Sequence, residues 1–149
     1  MIIVADTGPL LHLFWVDALA WALPPQPIFV VETVWREIVS YAPEAVNDTR
    51  LQRVSEPAEI PPNLAKQKLD SGERAALAYA LTLPTEKVLI LCDEIRGRRA
   101  CRDLSLTVKG SVGLIIEAMQ EGRGRLYIKP SVIAQALAAI DAVSKGEIE

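Results

Sequence analysis

The chain has 149 residues, half of them hydrophobic and 23% charged, which fits one globular domain with a full core and excludes a disordered chain. A formal net charge of -3 excludes a global basic surface, so any contact with a polyanion must come from a local Arg/Lys patch. The two cysteines, Cys92 and Cys101, lack Cys-x-x-Cys spacing, which argues against a zinc cluster or a disulfide framework and fits free thiols in a reducing, cytoplasmic compartment.

Ile2 to Ala5 reads as a short buried strand of a parallel sheet. No basic segment precedes it, so the N-terminus does not read as a signal peptide. Thr7 or Gly8 is expected to cap a helix, with Pro9 in its first turn and the apolar pattern running from about Leu10 to Leu23. His12 and Asp17 interrupt that stretch, and Pro24-Pro25 closes it, so it is too short for a membrane span. Its outer face, with Phe14, Trp15 or Trp21, is expected to meet a second copy of the chain in a homodimer. Pro27 to Val31 forms a second strand, and Thr33 the N-cap of a helix to about Tyr41. Residues 43–63 read as a loop with short helical or extended pieces. Asp70-Ser71-Gly72-Glu73 starts an Ala-rich helix to about Leu83, and Val88 to Cys92 is another buried strand. Asp93 and Glu94 open a helix to about Leu104; Leu106 to Val108 is a short strand, and Ser111 to Gln120 a helix. Leu126 to Ile128 is expected to be extended, and Ser131 to about Val143 to form the last helix. Alternating strands and helices without a repeat or a second domain predict one α/β unit over residues 1–149, with a mostly parallel sheet covered on both sides. Ligands of such folds bind beyond the carboxyl ends of the strands.

Asp6 and Asp93 each follow one of the most apolar strands. Each can serve as a helix cap, but if the strands are neighbours both carboxylates face one crevice. Glu37 flanks the apolar stripe set by Val34, Ile38 and Tyr41, by a helical rotation of about 100° per residue. Glu73 fits a capping box with Asp70 or a site carboxylate equally well. Glu94 is a fifth acid or a favourable first-turn charge. Several carboxylates in one cleft repel each other unless a divalent ion joins them, and Mg²⁺ or Mn²⁺ prefers oxygen ligands. Such a centre suits hydrolysis of a phosphodiester. The single histidine, His12, reads as a packing or partly exposed residue.

On the helix after Asp93, Arg98, Arg99 and Arg102 fall opposite Gly97, Ala100, Cys101 and Leu104, where they form a solvated face or contact phosphates. Arg96 lies off that stripe, one turn from Asp93, within reach of the site. Lys109, Arg123 and Arg125 extend the positive surface. Gly110-Ser111-x-Gly113 opens a helix, as an ordinary turn with a Ser cap or as backbone N–H groups offered to a phosphate.

The ordered set Asp6-Thr7-Gly8-Pro9-Leu10, Glu37, Leu69-Asp70-Ser71-Gly72-Glu73-Arg74-Ala75-Ala76, Cys92-Asp93-Glu94-x-Arg96-x-x-x-Ala100 and Lys109-Gly110-Ser111-x-Gly113 resembles PIN domains, and within them a VapC-toxin-like subgroup. The resemblance covers nearly the whole chain. It implies a three-layer α/β/α fold with a five-stranded parallel sheet in the order 3-2-1-4-5, and Mg²⁺- or Mn²⁺-dependent ribonuclease activity. It makes Asp6, Glu37, Glu73 and Asp93 the acidic catalytic centre, with Thr7 in support and Asp6 and Asp93 holding metal most directly. VapC-like toxins usually dimerise and are inhibited by a small antitoxin protein. The chain departs from the common pattern in having Glu73 for the third acid and Asp93-Glu94 for a double Asp. Two rivals remain in view: a catalytically inactive PIN-like binding or assembly module, and an aspartic protease, whose triplet Asp6-Thr7-Gly8 matches but whose all-β framework does not suit a helix-rich pattern.

Overall fold

The computed structural model describes residues 1–124 together with 134, 135, 138 and 139. Its strands are β1 (Ile2–Ala5), β2 (Ile28–Val31), β3 (Leu51–Val54), β4 (Val88–Leu91) and β5 (Thr107–Lys109). They form one parallel sheet in the order β3-β2-β1-β4-β5, the order the resemblance implies. Seven α-helices lie among the described residues: α1 (Thr7–Trp15), α2 (Leu19–Ala22), α3 (Glu32–Tyr41), α4 (Pro62–Ala65), α5 (Ser71–Ala80), α6 (Ile95–Asp103) and α7 (Ser111–Gln120). Helices α1, α2 and α7 pack together, while α5 lies over β1, β2 and β4, which gives the three layers of an α/β/α fold. Helix α3 leaves the carboxyl end of β2 and touches both α1 and α5. β4 is buried at every position and β1 at all but its first residue, as expected of central strands covered on both faces. Among the described residues no helix is long and apolar enough to cross a membrane.

Several local expectations are corrected. The apolar stretch from Leu10 to Leu23 is two helices, because Asp17 takes a left-handed φ of 57°. The Ala18 N–H donates to the Leu13 carbonyl at 2.8 Å and the Asp17 N–H to the Phe14 carbonyl at 3.1 Å, so a Schellman motif ends α1. Asp17 fills the position glycine usually takes, which hid the break. Trp21 is buried in the core rather than set on an outer face; Trp15, 57% exposed, and Val16 remain outside. The residue preceding α1 in cap position is Asp6, not Thr7 or Gly8. Helix α3 begins at Glu32, one residue before the expected Thr33 cap, and the Thr33 N–H donates to the Glu56 carboxylate across the sheet edge. Tyr41, placed on the core stripe from sequence, is 69% exposed; Val34 and Ile38 are buried as expected.

Residues 43–63 contain a full edge strand, β3, as well as a short 3-10 turn at Pro43–Asn47 and α4. An edge strand with Gln52 and Arg53 facing solvent carries no apolar run to mark it. Arg123 does not extend a positive surface: its Nη1 donates to the carbonyls of Trp21 at 3.0 Å and Leu23 at 3.1 Å, behind α2. Arg125, the expected extended segment Leu126 to Ile128 and the helix from Ser131 to Val143 lie outside the described residues, apart from four helical positions at 134, 135, 138 and 139.

Candidate metal centre

The site is set by strand register. Ala5 pairs with Leu91, so β1 and β4 end level, and the next rung sets Asp6 beside Cys92. The Asp6 N–H donates to the Leu91 carbonyl at 2.9 Å and prolongs the ladder by one step. Side chains of paired residues share a face of the sheet, and successive residues alternate between faces. Asp6 and Cys92 therefore point together toward α5, and Asp93 turns to the opposite side, toward the starts of α1 and α7.

On the α5 side, Asp6, Glu73 and Cys92 each present one ligand atom within 4.8 Å of the others. The Asp70 carboxylate caps α5 by accepting from the Glu73 N–H at 2.8 Å, and this cap sets where Glu73 leaves the helix. Asp70 thus takes the capping role and frees Glu73 to turn inward. Asp6 and Glu73 are each only 6% exposed. Glu73 Oε2 is buried without a hydrogen-bond partner among the described residues. A Cβ on Gly97 would lie 2.5 Å from Cys92 Sγ and 2.7 Å from Glu73 Oε2, so only glycine at the start of α6 leaves room for this group.

Burial pushes the Asp6 carboxyl up to about 7, and the nearby charges of Asp70, Glu37 and Glu94 push the same way. Burial also raises Glu73, together with its hydrogen bond and proximity to Asp70 and the charge of Asp6. The Cys92 thiol is raised by burial and by Asp6. Burial and mutual repulsion penalise the ionised forms of these groups, and a bound cation relieves that penalty. The donor set, with two carboxylates and one orphaned oxygen, fits a divalent ion.

Glu37 and Thr7 join this group at its rim. The Thr7 hydroxyl donates to Glu37 Oε2. A Cβ on Gly72 would lie 2.8 Å from Glu37 Oε1, so the bare first turn of α5 receives that carboxylate. Asp70 and Glu94 complete a ring of acids around Asp6. Neither Asp70 nor Cys92 stood out as a site residue in the sequence. The signal was present for both: Cys92 occupies in β4 the position Asp6 occupies in β1, and Asp70 precedes Glu73 by three residues.

Asp93 has a different environment. The His12 Nδ1–H donates to its Oδ2 at 2.6 Å, and the Ser111 N–H to its Oδ1 at 2.6 Å. Among the described residues, Asp93 is not in the group that shares ligand reach with Asp6 and Glu73. Ser111 follows the cap residue Gly110 rather than acting as the cap, and its N–H is already taken by Asp93 instead of being open to a phosphate. Lys109 pairs with Glu117 on α7.

The arginines divide between two hollows. A cleft of about 710 Å³ beside Glu73 is lined by Lys68, Asp70, Glu94, Ile95, Arg96 and Arg99. A smaller one of about 270 Å³ beside Asp93 is lined by Arg98 with Ile95, Gly110 and Val112. Arg98 and Arg99 thus face different sites instead of forming one stripe, and Arg102 is exposed further along α6. Arg98 Nη1 reaches the Cys92 carbonyl at 3.4 Å.

No curated protein and no solved structure gives a significant match to this sequence. A family model described as a PIN domain matches residues 2–135, nearly the whole chain. PIN domains are generally metal-dependent nucleases, and the acids gathered beyond β1 and β4 can hold such a metal. With its strand order and its match across 2–135, the chain belongs to the PIN domain family.

Proposed function

We propose that this chain is a Mg²⁺- or Mn²⁺-dependent endoribonuclease that hydrolyses RNA phosphodiester bonds, and that it serves as the toxin of a toxin–antitoxin pair. The observation that carries the reading is the orphaned, buried Glu73 Oε2 beside Asp6, in a ring of further acids at the carboxyl edge of the central strands. Asp6 and Glu73 would hold the ion, with Glu37 and Asp93 as the remaining members of the catalytic set. A bound ion supplies Lewis acidity toward a phosphoryl oxygen and lowers the pKa of water. Thr7 fixes the Glu37 carboxylate at the rim. His12 and the Ser111 N–H hold Asp93 in one orientation. Lys68, Arg96 and Arg99 line the approach and draw a phosphate backbone toward a site whose own charge would repel it. Arg98 lines the second hollow and Arg102 the outer face of α6, where they extend that attraction.

The whole of 1–149 is read as one such domain in the cytoplasm. Exposed Trp15 and Val16 supply an apolar patch for a homodimer, and a small antitoxin protein would close the acidic cleft. The test is cleavage of a mixed RNA pool by purified protein in Mn²⁺, with EDTA and with Asp6→Asn and Glu73→Gln variants as controls. Cleavage that needs the ion and both acids supports the reading. Cleavage that persists in EDTA, or none on any RNA with any divalent ion, overturns it, the latter in favour of a non-catalytic binding module. For the toxin role, induced expression should arrest growth and Asp6→Asn should not.

A further inference from the structure

Cys92 has no part in the carboxylate chemistry above, yet it stands in the middle of the acids. Its Sγ lies 3.9 Å from Asp6 Oδ2. Across the bare Cα of Gly97 it faces the partnerless Glu73 Oε2, and a Cβ there would strike both atoms. Asp6, Glu73, Cys92 and Gly97 line one small cavity of about 10 Å³, together with Ala76, Leu77 and Ile90. That volume is near the least that admits one water-sized occupant, roughly 10–15 Å³. The cavity offers two hard oxygen donors and one soft sulfur donor to a single small guest.

We propose that Cys92 is a ligand of the metal centre and biases it toward thiophilic divalent ions, of which Zn²⁺ is the type, at the expense of Mg²⁺. The inference rests on the reading that Asp6 and Glu73 hold a divalent ion. Soft thiolate ligands select zinc-like ions, whereas Mg²⁺ demands an octahedron of oxygens and keeps most of its water. Binding breaks the S–H bond, releases one proton to solvent and forms a metal–sulfur bond, with no change of oxidation state. Cys101 is also buried, but lies in the core on α6 outside this group, and serves as the control.

The experiment titrates the metal-free full-length chain with Cd²⁺ and Co²⁺ and follows thiolate-to-metal charge-transfer absorption, with calorimetry for Zn²⁺, Mg²⁺ and Mn²⁺. Wild type and Cys101→Ala should both develop the band. Cys92→Ser and Cys92→Ala should lose it and bind Zn²⁺ weaker by about tenfold or more, so that the preference for Zn²⁺ over Mg²⁺ shrinks. Ser keeps a polar group in the cavity and guards against loss of folding in the Ala variant. A band that survives both Cys92 substitutions overturns the inference. So does Mn²⁺ binding by wild type with no band for Cd²⁺ or Co²⁺; in that outcome the carboxylate reading stands alone. If wild type binds no divalent ion, both readings fall.

Discussion

Two aspartates, Asp6 and Asp93, end the two central strands, and their surroundings are opposite. Asp93 has both oxygens satisfied, by His12 and by the Ser111 N–H. Asp6 is buried against Glu73 and Cys92, with its carboxyl raised to about 7. The contrast shows that position after an apolar strand does not decide a carboxylate's environment. What decides it is the face to which it turns and the partners waiting there. The Asp93 carboxylate is held by its donors, whereas Asp6 lies against the partnerless Glu73 Oε2, where a second buried charge is penalised.

The sharpest way to break this contrast is to neutralise each side in turn. Asp6→Asn and Glu73→Gln should lower metal-dependent cleavage on the order of 10²–10³-fold. Asp6→Asn should also raise the stability of the metal-free protein at pH 8 by about 1–2 kcal/mol, since it removes a charge that burial penalises. Urea unfolding measures this, and a loss of stability would mean that the Asp6 charge is already compensated. Gly97→Ala comes next. Its methyl must displace Cys92 Sγ or Glu73 Oε2, so a loss of about 1–3 kcal/mol is expected together with weaker Mn²⁺ binding.

The third prediction concerns pH. Asp6 has a folded value of about 7 against an ordinary 3.8, so between those values the folded state holds the proton that the unfolded state has released. Stability of the metal-free protein should therefore fall as pH rises from about 4 to about 7, and level off above. Saturating Mn²⁺, which binds the ionised form, should flatten or reverse this slope in thermal melts across that window. The smallest effect is expected from His12→Ala. The His12 side chain is 51% exposed, so losing its contact with Asp93 should cost about 0.2–1 kcal/mol in urea unfolding.

Much of the fold was readable from local pattern. Uniformly apolar runs such as Val88 to Leu91 mark strands buried on both faces, and α7 was expected over the residues it occupies, Ser111–Gln120. Features that depend on neighbours were not readable. β3 is polar on its outer side because it sits at the sheet edge, and Asp17 breaks a helix in a conformation that its residue type does not announce. The arginines of α6 look like one stripe on a helical wheel, but the start of α5 on one side and of α7 on the other divide that stripe between two hollows.

The acids themselves were visible in the chain, because carboxylates after buried strands and at helix starts are conspicuous against an apolar background. Which of them meet was decided by a single step of register. With Ala5 level with Leu91, Cys92 becomes the neighbour of Asp6 and Asp93 turns away to His12 and Ser111. A shift of one residue would exchange their faces, and no local propensity encodes that shift. Chain chemistry supplies the donors; the pairing of strands far apart in sequence determines which of them come within reach of one another.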